Sequence, residues 1–275
     1  MSQNAVEVPV WKRRLVYTMP GAEAVTVRQD IQFTAADGGA LPLDLYLPPG
    51  ATGDARLPAT IIAAGYCHAR TPKVFPCAFK EVEFVVSWAR LLAASGIAAV
   101  TYSNREPAGD LHALVGHLRR NSATLGIDES RIGVWAGSGN VPVALSLLMK
   151  DAVPSLKCAV LCYGFMLDLD GATAVAATAA MYQYANPCAG RTIDDVAREV
   201  PMFIARAGQD QFQGLNDSID RFVAKGLAAN LPLTVVNHAQ GPHAFDMYHD
   251  SDETRAIIEQ ILAFARFYLG VSRVG

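Results

Sequence analysis

A chain of 275 residues with 51% apolar content can bury a sizeable core, and its length suits one large α/β domain. With a formal net charge of −3, 18% charged residues and no basic run longer than Lys12 to Arg14, nothing marks a nucleic-acid surface. The longest apolar runs are broken by Arg90 or Lys157, so no membrane span is expected, and the opening MSQNAVEVPVWKRRLVY lacks the apolar run of a secretory signal. The expected location is cytoplasmic.

Residues 1–24 read as an N-terminal extension, packed along the domain edge or disordered, and 25–275 as a single domain. The domain opens with AVTVRQDIQFTAADG and ALPLDLYLPPG, which alternate polar and apolar residues around a DGG turn and predict an antiparallel hairpin. Continuous apolar runs follow: ATIIAAG, IAAVTYSN, RIGVWAG, LKCAVLCYG, PMFIARAG and LPLTVVNH. Uninterrupted hydrophobicity fits strands buried on both faces, hence a mostly parallel sheet. Segments of helical period lie between and after them, from EVEFVVSWARLLAAS through DLHALVGHLRRNSATL, VPVALSLLMK and GLNDSIDRFVAKGLAAN to DETRAIIEQILAFARFYLG. The fold class is therefore α/β, with helices on both faces of the sheet. The connection 165–200 is longer than the others and rich in alanine; it predicts either a small lid or ordinary extra helices.

Five cysteines, Cys67, Cys77, Cys158, Cys162 and Cys188, are an odd number scattered through apolar sequence. They read as packing thiols rather than a disulfide framework, and no zinc site is expected.

The glycines of RIGVWAGSGNVPVALSLL admit two chemistries. A dinucleotide fingerprint would need a third glycine where Pro142 stands and an acid at the tip of the next strand, which ends instead in Cys162-Tyr163-Gly164. A nucleophile elbow needs small neighbours around a central serine on a sharp strand-to-helix turn, and Gly137 and Gly139 flank Ser138. The outer positions depart from G-x-S-x-G: Ala136 is small, and Asn140 is read as a residue that tolerates left-handed backbone. A serine that only caps the following helix remains the bland alternative.

A serine nucleophile needs a base and a group that orients it, both later in this chain order. Asp210 follows PMFIARAG directly, with Asp168 and Asp170 as second choices for the acid; Asp217 and Asp220 read as surface or capping residues of the next helix. His243, in the Gly-Pro turn after LPLTVVNH, is favoured as base over His238, which reads as structural, and over His68, His112, His117 and His249. The oxyanion hole would take backbone N–H groups from Gly139 and, after the early strand, from Tyr66, with Cys67 as the alternative. Cys67 is read as a packing thiol near the pocket, with a catalytic part for it also weighed. Tyr66, Arg105, Met166 and Phe245 are candidate pocket linings because they lie near strand tips, and Cys67 is a further candidate from its place near the pocket.

Taken in order, IIAAGY, RIGVWAGSGNVP, PMFIARAGQDQFQGLNDSIDRF and GPHAFD resemble the α/β-hydrolase superfamily, and within it the dienelactone hydrolase-like branch, over nearly the whole chain after residue 25. The resemblance implies that fold, a Ser138, Asp210, His243 triad, no cofactor, and hydrolysis of an ester or lactone, so the expected partner is a small-molecule substrate. Dienelactone hydrolases use cysteine where this chain has Ser138, so their substrate is not carried over. Acyl transfer, peptide cleavage and a non-catalytic binding protein on the same scaffold are the alternatives. Neither nucleic acid nor a membrane is an expected partner, and a homodimer is left open.

Overall fold

The computed structural model describes residues 8–52, 55–67, 76–152 and 156–271. Among them, eight strands form one sheet in the order β1-β2-β4-β3-β5-β6-β7-β8. Strands β1 (Thr26–Thr34) and β2 (Ala40–Leu47) make the expected antiparallel hairpin, and β2 also runs antiparallel to β4 (Ala98–Tyr102). The rest of the sheet is parallel: β3 (Leu57–Ile62), β5 (Ile127–Gly137), β6 (Cys158–Cys162), β7 (Met202–Gln209) and β8 (Leu233–Pro242). Every residue of β4 and β6 is buried, as a strand covered on both faces requires.

Helices α1 (Glu83–Ala94), α2 (Pro107–Arg120) and α3 (Ser122–Leu125) precede β5, and α4 (Val141–Ser146) follows it. Then come α5 (Ala174–Tyr182), α6 (Leu215–Ala228), α7 (Phe245–Tyr248) and α8 (Asp252–Tyr268). Helix α1 buries Phe84, Val85, Trp88, Leu91 and Leu92, one face at helical spacing. Each such side chain contributes about 1.5–3 kcal/mol by leaving water. Helix α2 starts at Pro107, and the Glu106 carboxylate accepts the N–H groups of Ala108 and Gly109. The Ser251 Oγ caps α8 by accepting the Thr254 N–H.

Two boundaries differ from expectation. The helix after Ser138 stops at Ser146 instead of running to Lys150, because the backbone of 148–150 pairs with 195–197: Ala197 N–H donates to Leu148 O, and Lys150 N–H to Asp195 O, both at 2.8 Å. Strand β8 runs past His238 to Pro242. No helix among the described residues is long and apolar enough to cross a membrane.

Residues 8–24 lie against the domain. The Val16 N–H donates to Asp246 O at 2.8 Å, Arg14 pairs with Glu83 at 2.8 Å, and the Tyr17 hydroxyl donates to Glu259 at 3.1 Å. The 165–200 connection carries α5 and a 3₁₀ turn at Ile193–Asp195.

Candidate active site

Strand register brings the candidate acid and the candidate base together. Strands β7 and β8 pair in parallel with Gln209 opposite Pro242, so the next residues of each chain segment, Asp210 and His243, emerge side by side. Between Ala207↔His238 and Gln209↔Pro242, β8 spends more residues than β7, a bulge that sets the two tips level. Gly208 permits it: a Cβ there would lie 2.5 Å from Ala239 O.

The nucleophile candidate sits at the end of the central β5. Ser138 has φ 58°, the left-handed region in which a non-glycine residue is strained by about 1–3 kcal/mol. A 3₁₀ turn, Ser138–Asn140, leads into α4. Asn140 pins this turn: its Oδ1 accepts the Gly65 N–H at 2.7 Å and its Nδ2 donates to Gly137 O at 2.8 Å. The approach needs glycine at 65, where a Cβ would lie 2.4 Å from Gly139 O. Asn140 itself is right-handed, with φ −86°, so the expectation that it stands in for a left-handed glycine is corrected: the left-handed residue is Ser138, and Asn140 works through its amide.

The three side chains form one chain of hydrogen bonds. Ser138 Oγ lies 2.8 Å from His243 Nε2, and His243 Nδ1 lies 2.6 Å from Asp210 Oδ2. The Asp210 side chain is 0% exposed and its other oxygen accepts the Phe212 N–H at 2.9 Å. A carboxylate can only accept, so Nδ1 carries the proton and Nε2 is left to receive one from the serine. The imidazole is held between the edges of Phe212 and Tyr163, with ring centroids at 4.5 and 5.3 Å. Ala244, at φ 54°, then turns the chain into α7.

Beneath this row lies a buried carboxylate to which sequence reasoning gave no role. Asp246 accepts the Tyr163 hydroxyl and the Trp88 Nε1–H, each at 2.8 Å. Burial pushes its pKa up from the usual carboxylate value. Trp88 in turn packs on Trp135 of β5, centroids 4.8 Å apart, so one network joins α1, the strand that ends at Ser138 and the loop that carries His243. The only signal was position: Asp246 closes GPHAFD, three residues after His243.

A cavity of about 430 Å³ opens on Ser138 and His243, walled by Val10, Phe84, Trp135, Phe212, Met247 and Tyr248 among others, including Tyr66. Burial pushes the Tyr66 phenol up to about 12. The four other lining candidates do not face this cavity. Arg105 reaches outward to Asp37, with Nη2–Oδ1 2.6 Å, and to Ala40 O. Met166 is fully buried with its N–H on Ser218 Oγ, Phe245 is buried against Tyr163 and His238, and Cys67 is buried beside Tyr66. A strand tip fixes where a residue stands, not which way its side chain turns.

The remaining candidates have other partners. Asp168 accepts the Val175 and Ala176 N–H groups at the start of α5, and Asp170 pairs with Lys225 at 2.8 Å. His238 is fully buried with Nε2 on Thr254 Oγ1 at 2.9 Å. Asp217 and Asp220 pair with Arg221 and Arg206. His68 lies outside the described residues. No residue of 165–200 lines this cavity: the segment backs the Tyr66 loop instead, through the Tyr66↔Tyr184 bridge and the Ala185 N–H on Gly65 O. Among the described residues no group of three His, Cys, Asp or Glu is placed to hold a metal ion.

No protein-family model matches the sequence, and no curated protein matches it. Solved structures do match. An α/β-hydrolase enzyme from the metagenome of Lake Arreo, Spain, is similar with a TM-score of 0.69 and 19% identity, over 90% of this chain and 83% of its own. An esterase of Pyrobaculum calidifontis gives 0.65 and 19%, over 90% and 87%. A thermophilic and thermostable carboxylesterase from a metagenomic library gives 0.67 and 18%, over 92% of each chain. At such identities the likeness is one of fold, and with the strand order above it makes this an α/β-hydrolase fold.

Proposed function

We propose that the protein is a serine hydrolase that cleaves a carboxylic ester through an acyl-enzyme. The observation that carries the reading is the unbroken row from Ser138 Oγ through His243 to Asp210, at 2.8 and 2.6 Å, with the serine on a strained left-handed turn. His243 Nε2 takes the hydroxyl proton as Oγ attacks the acyl carbon, and Asp210 holds the tautomer and stabilises the imidazolium. His243 then protonates the leaving alcohol, and water repeats the sequence to release the acid.

The tetrahedral oxyanion would bind the N–H groups of Gly139 and Tyr66. The described residues include no cis peptide bond, and Gly65 O accepts the Ala185 N–H. In a trans peptide the Tyr66 N–H points opposite to that carbonyl, off the 165–200 segment, which supports the assignment.

Esterases among the similar folds support ester cleavage in general. The dienelactone hydrolase-like affiliation, and with it lactones as substrates, rests on the resemblance of the sequence, in which RAGQD and PHAFD are the more specific parts. Five free cysteines fit the proposed cytoplasmic location.

The test is a fluorophosphonate probe with mass mapping, run beside p-nitrophenyl ester turnover. Label should appear on Ser138 and vanish in His243→Ala, and Ser138→Ala should abolish turnover with its melting temperature nearly unchanged. Retention of most activity in Ser138→Ala, or no labelling of folded protein, rejects the reading. Product analysis with competing alcohols and amines separates hydrolysis from acyl transfer.

A further inference from the structure

We propose that the N-terminal segment is a working wall of the pocket, and that Val10 sets the size of an uncharged, apolar substrate group bound there. The inference deepens the esterase reading, on which its kinetic arm rests; its binding arm stands without it.

Val10 lines the same cavity as Ser138 and His243, although it comes from a three-residue 3₁₀ turn, Val10–Lys12, ahead of the first strand. With Phe84 of α1 and Met247 and Tyr248 of α7 it makes a wall that carries no member of the triad. Contacts hold this wall in place from both sides. The Arg13 guanidinium lies over the Tyr248 ring, 4.4 Å from its centroid, and the Val16 N–H is bonded to Asp246 O at 2.8 Å. On the other side Arg14 Nε is 2.8 Å from Glu83, the neighbour of Phe84. Val10 is thus positioned by the elements that also hold the base loop.

The lining chemistry defines the class of group accepted. Among the described residues it contains no Lys, Arg, Asp or Glu side chain, and its large members are Tyr66, Phe84, Trp135, Tyr163, Phe212, Met247 and Tyr248. A carboxylate or ammonium buried there would lose its hydration with no Lys, Arg, Asp or Glu among the described lining residues to replace it. An aryl or medium alkyl group gains from the same surfaces by leaving water. A volume of about 430 Å³ lies within the range of small-molecule sites.

Two ligands of matched shape separate charge from size: N-methyl-4-phenylbutanamide and 4-phenylbutyrate, titrated by calorimetry at pH 8 into wild-type protein and Ser138→Ala. The amide should bind at least tenfold more tightly than the carboxylate. Equal or tighter binding of the carboxylate, or no binding of the amide at millimolar concentration, overturns the proposal. Val10→Trp should weaken the amide at least tenfold, and Val10→Ala should raise kcat/KM for p-nitrophenyl octanoate relative to the acetate severalfold. If both variants melt like the wild type yet leave amide affinity and that ratio unchanged, Val10 does not set the size. Wild-type protein that binds the amide but neither turns over any p-nitrophenyl ester nor labels at Ser138 would reject the esterase reading and leave the pocket inference standing.

Discussion

Asn140 ties the turn that carries Ser138 to the end of β3, accepting the Gly65 N–H at 2.7 Å while donating to Gly137 O at 2.8 Å. Asn140→Ala would leave a buried donor and a buried acceptor without partners, each worth about 1–3 kcal/mol. Urea unfolding should therefore show a loss of about 2–4 kcal/mol. Turnover of p-nitrophenyl acetate should fall mainly in kcat, because Gly139 and Tyr66, the proposed oxyanion donors, flank the two ends of the lost bridge. Wild-type stability and kcat in this variant would contradict the role given to Asn140.

What the sequence made legible was whatever depends on strand ends and chain order. Asp210 and His243 each follow a run of continuous hydrophobicity, and parallel register then makes neighbours of them, as Gln209↔Pro242 does. Side-chain direction was not legible, which is why Arg105, Met166 and Phe245 were expected at a cavity they do not face. Asn140 was misread because a pattern of small residues encodes backbone freedom, whereas its function lies in an amide whose partner is 75 residues away in sequence. Val10 gave no signal at all: a three-residue turn has no periodicity to detect.

The choice of acid can be separated from its rival by one pair of variants. Asp210→Asn keeps the shape but can present an N–H to His243 Nδ1, so the ring is driven to the wrong tautomer; kcat should drop by roughly 10³–10⁴-fold with little change in folding. Asp168→Asn weakens a helix start, where its carboxylate accepts the Val175 and Ala176 N–H groups at 2.9 Å. It should lower stability by about 1 kcal/mol and leave kcat within a few-fold of wild type. Steady-state kinetics of the two variants decide the point, and the reverse pattern would move the acid to Asp168.

The buried Asp246 predicts a pH-dependent defect. Its pKa is raised in the folded protein by burial, while the hydroxyl of Tyr163 and the indole of Trp88 oppose the rise. A raised acid binds its proton more tightly when folded, so its ionisation erodes stability as pH climbs from the ordinary carboxylate range through the folded value. Tyr163→Phe removes one donor to the ionised form and pushes the folded value higher still. The melting-temperature deficit of Tyr163→Phe should therefore grow as pH is raised from 4 to 8. A deficit that is constant, or larger in acid, would mean that the hydroxyl does not hold a charged Asp246.

Thiol chemistry distinguishes Ser138 from Cys67 as the reactive group. Burial pushes the Cys158 and Cys188 thiols up to about 12 and raises Cys162 well above the ordinary thiol value, so none of these supplies thiolate at pH 8. Cys67 is 6% exposed and does not line the cavity, whereas Cys77 is partly exposed. Iodoacetamide at pH 8 should therefore modify Cys77 first in the native protein and all five thiols only in urea, and modification of Cys77 should leave ester turnover intact. Mass mapping after partial alkylation reads the order directly. Early alkylation of Cys67 with parallel loss of turnover would place a nucleophilic thiol at the site, because a packing residue sealed beside Tyr66 has no route to the reagent without local opening.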